Sequence, residues 1–170
     1  MVFQKLEISL VELNMEFTVK MIVYRIASKK HSDDLTGAGA AMYGGRWNKK
    51  GTPVLYTGES KEIALLETIA HTPPMFVPKL DIITLEIPDD SIKVIEHEEL
   101  PPNWRIYPAP AILSEIGERW VNSAETIALK VPSCIIHSAK NVILNCRHIE
   151  YKKVKIIDKR NFKFDSRLVK

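Results

Sequence analysis

Apolar and polar residues alternate in short runs along most of the chain, and this period of two constrains the fold more than any other feature. The clearest runs are MIVYRIA from Met21, VLYTG from Val54, LDIITLEIP from Leu80 and IKVIE from Ile92, followed by TIALKVP, NVILN and VKIID. Two segments carry a helical period instead. One is KEIALLETIAH, which Ser60 can cap and the Pro73-Pro74 pair ends; the other is AILSEIGERWVNS, with Ile112, Ile116 and Trp120 on one stripe. Many short strands beside two helices predict an α+β fold with a mostly antiparallel, two-sheet core.

The chain of 170 residues fits one domain with a substantial core. Its first clear strand begins only at Met21, so residues 1–20 are set apart as an extension, an added strand or a frayed tail, and residues 21–170 as the domain. Lys5, Glu7, Glu12 and Glu16 break the apolar residues of the extension, which therefore lacks the core of a signal peptide. No apolar run approaches the roughly 20 residues that span a bilayer. The cysteines, Cys134 and Cys146, stand at no metal-ligand spacing and make no disulfide framework. These features predict a cytoplasmic protein with no metal and no membrane contact.

Net charge is +3, but residues 151–170 hold eight Lys or Arg against two Asp. A basic tail can contact nucleic acid. The alternation in KVKIID and FKFD fits better the wet side of an edge strand, where lysines discourage further pairing.

Most residues with chemistry to offer lie between Arg25 and Glu67. A long loop, SKKHSDDLTGAGAAMYGGRWNKKGTP, exceeds the usual connection of about four to six residues, and such loops are commonly functional. It carries Arg46 after Gly44-Gly45, which lets backbone approach a ligand closely while a guanidinium makes bidentate contact with phosphate. Arg25 adds a second cation on the first strand, and two arginines suit a diphosphate. Tyr56 offers a ring face or a hydroxyl. Glu67 interrupts the apolar residues Ile63, Ala64, Leu65, Leu66 and Ile69 of its helix, so its carboxylate is at least half-buried; it is either a structural group, ion-paired or reaching solvent from the helix edge, or a working one. Val131-Pro132-Ser133 leaves a hydroxyl at a strand end, with no nucleophile elbow around it.

In order, YRI at 24–26, GGRWN at 44–48, LYTGES at 55–60 with Glu67, VPS at 131–133, NVILN at 141–145 and FDSRL at 164–168 resemble the RES family, toxins of bacterial toxin-antitoxin pairs. The resemblance runs from about Tyr24 to Leu168. It implies a fold similar to diphtheria-toxin-like ADP-ribosyltransferases, with NAD as substrate rather than as a cofactor. Arg46, Tyr56, Glu67 and Ser133 match the family's active-site positions, and Arg25 its additional arginine. Where such proteins often read Asn-Pro-x-His-Pro, this chain has Asn145-Cys146-Arg147-His148-Ile149.

On that resemblance Arg46 and Arg25 would hold the diphosphate, Tyr56 would orient the nicotinamide ribose, Glu67 would stabilise positive charge at the anomeric carbon and Ser133 would anchor the nicotinamide end. The acceptor stays open: water gives hydrolysis, phosphate gives phosphorolysis, and a target protein gives ADP-ribosylation. The resemblance also implies a cognate Xre-type antitoxin with a helix-turn-helix part, forming a hetero-oligomer and covering an entrance around Met42, Tyr43 and Trp47. Two other classes compete. An RNA-binding or RNA-cleaving toxin would use the basic tail and His31, His71, His97, His137 and His148, but no paired-histidine spacing supports it. A non-catalytic interaction module would not need Glu67.

Overall fold

The computed structural model describes residues 20–71 and 79–168. The expectations for residues 1–19 and for the Pro73-Pro74 stop fall outside them. The strands are β1 (Lys20–Ser28), β2 (Val54–Gly58), β3 (Leu80–Pro88), β4 (Ile92–Val94), β5 (Ala128–Pro132), β6 (Lys140–Asn145) and β7 (Lys155–Phe162). The helices are α1 (Ala38–Tyr43), α2 (Lys61–His71) and α3 (Ala111–Ser123). Each predicted run thus forms a strand or helix. α1 is the addition, a single short helix inside the long glycine-rich loop, entered and left through Gly37 and Gly44 at φ 72° and 73°.

The strands form one seven-stranded sheet in the order β4-β5-β6-β2-β1-β3-β7, which corrects the expected two-sheet core. Neighbours run antiparallel except β4 and β5. The reason for the correction lies in the middle of the sheet. β1 pairs with β3 along its whole length, from Lys20↔Pro88 to Ser28↔Leu80, and β2 pairs with β6 from Val54↔Asn145 to Gly58↔Asn141. Between β1 and β2 the register is the single pair Tyr24↔Gly58. Two well-formed half-sheets therefore share a seam that closes at one end and parts toward the other.

Alternation distributes the core to both faces. Val54, Leu129, Val131 and Ile143 join Trp47, Trp104, Leu113, Trp120 and Val121 beneath α3, whereas Leu55, Val142 and Leu144 join Val23, Ile83, Leu85 and Ile87 on the other side. α2 rests Ala64, Leu65 and Ile69 on Tyr24, Ile26 and Leu80. Of the expected α3 stripe, Trp120 is buried and Ile116 packs against the core, while Ile112 is exposed; Leu113, Gly117 and Val121 complete the buried face. The basic segment forms the edge strand β7, paired with β3, and Lys159 and Arg160 are bound to Asp33 and Asp158. No helix among the described residues is long and apolar enough to cross a membrane.

One contact ties α3 to the glycine-rich loop. A Cβ added at Gly117 would lie 1.8 Å from the carbonyl oxygen of Trp47, so helix and loop backbone touch there directly. Trp47 itself is 2% exposed, which removes it from the entrance surface expected of it. Gly117→Ala should therefore destabilise the fold by about 3 kcal/mol through overpacking, read as a lowered midpoint in urea unfolding. A neutral substitution would mean that the loop yields to the helix.

Candidate active site

The parted seam opens into a cavity of about 1010 Å³. Its wall is drawn from Tyr24 and Arg25 of β1, Gly44 to Arg46 of the loop, Tyr56 of β2, Glu67 of α2, Arg105 and Tyr107 of the segment before α3, and Asn141 of β6. The volume lies at the upper end of the usual range for small-molecule pockets, about 300–1,000 Å³.

Glu67 stands on α2, whose first turn is tied by Ile63 N–H donating to Ser60 Oγ at 3.3 Å, as the predicted cap requires. Its Oε1 accepts from Ser133 Oγ at 3.0 Å and from Asn141 Nδ2 at 2.7 Å. Oε2 accepts no hydrogen bond among the described residues. The carboxylate is half-buried and neutral amide and hydroxyl donors fix it without an ion pair, so its charge is oriented but not neutralised. Of the sequence readings of Glu67, the ion-paired one is excluded among the described residues.

Ser133 is fully buried and does not line the cavity. Its hydroxyl donates to Glu67 and accepts from the N–H groups of Ile135 and Ile136 at 3.1 and 3.3 Å. The structure thus places Ser133 behind the carboxylate rather than on the wall where the nicotinamide anchor was expected. Asn141, which no reading of individual residues singled out, shares that supporting position and also faces the cavity. An asparagine opening the apolar run NVILN was the available signal, since strands disfavour asparagine.

Arg46 sits at the tip of a tight loop closed by the Gly45↔Asn48 bridge. Asn48 is the hub: its Nδ2 donates to the carbonyls of Ala40, Lys49 and Thr52, and its Oδ1 accepts from Tyr56 Oη at 2.8 Å. Tyr56 Oη accepts in turn from Trp47 N–H at 3.0 Å. Only glycine fits at position 45, where a Cβ would lie 2.7 Å from that hydroxyl. Burial pushes the Tyr56 phenol well above its ordinary pKa, opposed by the Trp47 amide and the Arg46 charge and reinforced by Glu67. Its hydroxyl is occupied within the protein; the ring is what the cavity sees.

The Arg46 guanidinium donates to the carbonyl oxygens of Trp104 at 2.6 Å and Ile106 at 3.2 Å, which aims it and pins the segment before α3. Arg25 is held similarly, with Nη1 donating to Asp34 O at 2.8 Å. Burial lowers its pKa, opposed by Asp34. The next carbonyl, Leu35 O, accepts from Tyr151 Oη at 2.5 Å and Cys146 Sγ at 3.6 Å, and burial raises the Cys146 thiol to about 11. The divergent stretch from Asn145 is a turn outside the cavity wall: Asn145 bonds Val121 O and Arg147 N, and His148 Nδ1 accepts from Glu150 N–H.

The cavity therefore brings together Arg25, Arg46, the Tyr56 ring and Glu67, with Ser133 one layer behind. A fixed carboxylate beside two aimed guanidinium groups can hold an anion at one place and stabilise positive charge at another.

The chain is 35% identical over 151 residues to "Toxin Res" of Yersinia enterocolitica, covering 87% of this chain and 99% of that one. It is 33% identical over 154 residues to the "Prs ADP-ribosylating toxin" of Sphingobium sp., covering 86% and 96%. Among solved structures, the M. tuberculosis MbcT-MbcA toxin-antitoxin complex holds a chain of similar fold, with a TM-score of 0.69, 17% identity and 86% of each chain covered. Residues 22–165 match the RES domain, and with that span this chain belongs to the RES domain family.

Proposed function

We propose that this protein is the toxin of a toxin-antitoxin pair and cleaves the nicotinamide-ribose bond of NAD on a fold of the diphtheria-toxin-like ADP-ribosyltransferase kind. The observation that carries the reading is Glu67, held through Oε1 by Ser133 and Asn141 with Oε2 left for a ligand, in a cavity that also holds Arg25 and Arg46. The names of the relatives, one of them an ADP-ribosylating toxin, support it.

In this reading the two guanidinium groups hold the diphosphate and the Tyr56 ring packs against the nicotinamide ribose. The bond between the anomeric carbon and the nicotinamide nitrogen breaks, its electron pair leaving with nicotinamide. The oxocarbenium-like centre that remains is stabilised by the Glu67 carboxylate, as in glycoside cleavage, and is captured by water or inorganic phosphate. Capture by a target protein is the transferase alternative, favoured by the name of the Sphingobium relative. Ser133 and Asn141 are positioning residues. No step calls for a metal.

Incubating the purified protein with NAD, with and without phosphate and cell lysate, and weighing the ADP-ribose product distinguishes the three acceptors. Glu67→Gln keeps an amide oxygen where Oε1 accepts from Ser133 and Asn141, so the thermal midpoint should stay near wild type. NAD consumption should fall about 100-fold or more, the scale for removing one preorganised electrostatic group. Undiminished turnover would remove Glu67 from the reaction.

Arg46→Lys keeps the charge but loses the planar fork that bonds Trp104 O and Ile106 O and leaves donors for phosphate. Titrated calorimetrically in the Glu67→Gln background, it should bind NAD about tenfold more weakly; equal affinity would make Arg46 structural.

The partner in this reading is an antitoxin of helix-turn-helix type that covers the cavity mouth, where Met42 and Tyr43 are exposed. Co-expression with the neighbouring gene should yield a stable hetero-oligomer that leaves NAD intact. A complex that consumes NAD at the rate of the free protein would sink occlusion.

A further inference from the structure

At the Arg46 end of the cavity stand two large side chains that the fold does not use. Tyr43 closes α1 and is 74% exposed; Tyr107, in the segment before α3, is 85% exposed. Both line the cavity, and neither hydroxyl has a hydrogen-bond partner among the described residues. The other tyrosines on hydrogen bonds here, Tyr56 and Tyr151, are at least partly buried and work inside the protein.

The bonds around Arg46 fix where these rings lie. Tyr56, Glu67 and Arg46 line the same cavity. Arg46 in turn donates to the carbonyl of Ile106, the residue before Tyr107, while Tyr43 immediately precedes Gly44-Gly45-Arg46. Both exposed phenols therefore stand beside Arg46, Tyr43 through the chain and Tyr107 through the bond to Ile106 O. Tyr107 is also not on a free loop: Arg46 holds the carbonyls of Trp104 and Ile106, and Arg105 Nη2 donates to Cys134 O at 3.2 Å from beside the Trp104 ring.

We propose that Tyr107 and Tyr43 form a purine subsite, Tyr107 giving the stacking face and Tyr43 the opposite wall. The proposal rests on the NAD reading above and extends it to the half of the dinucleotide that does not react. With the ribose at Glu67 and the diphosphate at Arg46, the second nucleoside reaches these rings. A tyrosine held by its backbone offers a large π-face at small entropic cost, because it has only two side-chain torsions. Alanine substitution of such a platform commonly weakens base binding about tenfold or more. Binding energy gained at the purine then holds the substrate while Glu67 acts at the far end.

The test uses adenosine monophosphate and nicotinamide mononucleotide as probes of the two ends. Adenosine monophosphate should bind the wild-type protein, Tyr107→Ala should weaken it about tenfold or more, and Tyr107→Phe should restore it because the stacking face remains. In turnover, the preference for NAD over nicotinamide mononucleotide should fall by a similar factor in Tyr107→Ala. The side chain is 85% exposed and packs in no core, and an unshifted thermal midpoint checks that the fold is kept. Equal adenosine monophosphate affinity in wild type and Tyr107→Ala, or an unaltered preference, overturns the subsite. Wild-type protein that binds adenosine monophosphate as described but leaves NAD uncleaved overturns the reaction and keeps the subsite.

Discussion

The single Tyr24↔Gly58 pair between β1 and β2 governs this molecule. Each of these strands is fully paired on its other side, so the sheet does not need the seam for most of its hydrogen bonds. Where the strands part, a cavity enters the middle of the sheet, the one place from which β1, β2, α2 and the ends of β5 and β6 can all reach one ligand. Gly58 permits the closed end, because a Cβ there would lie 2.8 Å from the Ala64 backbone nitrogen in the first turn of α2. The helix can then start directly after β2 and lean its Glu67 face into the opening.

A parted seam needs rigid walls, and the polar side chains supply them. Asn48 gathers the carbonyls of the glycine-rich loop, Tyr56 links that hub to β2, and Arg46 and Arg25 each clasp a main-chain carbonyl. No buried side-chain nitrogen or oxygen among the described residues lacks a partner. Such a network is costly when incomplete and specifies one geometry when complete. Its effect on function is indirect: Asn48 and Ser133 hold Arg46 and Glu67 in place by orienting loops and side chains, which is what preorganisation requires.

The parts of this design carried by local pattern were legible in the sequence. VLYTG and LDIITLEIP coincide with β2 and β3 residue for residue, and Glu67 stood out as a charge on an apolar helix. What depends on partners far along the chain was not legible. The two-sheet expectation failed because strand spacing is blind to a seam closed by one pair. The α3 face was read only in part, because glycine reads as featureless, yet Gly117 is buried where the helix meets Trp47 backbone. Tyr56 and Ser133 were found, but their hydroxyls point to Asn48 and Glu67, residues 8 and 66 positions away. Asn141, 74 positions from Glu67, was passed over for the same reason.

Charge completes the account of the cavity. Arg25, Arg46 and Arg105 line it, with Asp34 and Glu67 as the acidic lining residues. The Asp34 side chain faces the Thr36 hydroxyl and amide, which hold its carboxyl below the ordinary range, so it is ionised and committed to its own turn. That leaves the unneutralised Glu67 carboxylate amid a field that is otherwise positive. Such a field attracts a dianionic ligand as a whole while offering one negative group to a single point of it. For the diphosphate-bearing substrate proposed above, the attraction for the resting molecule would come from the arginines. The carboxylate opposes it slightly at rest and favours it strongly once positive charge develops nearby. In the proposed reading, placing those two signs in one cavity lets binding and bond cleavage draw on different residues.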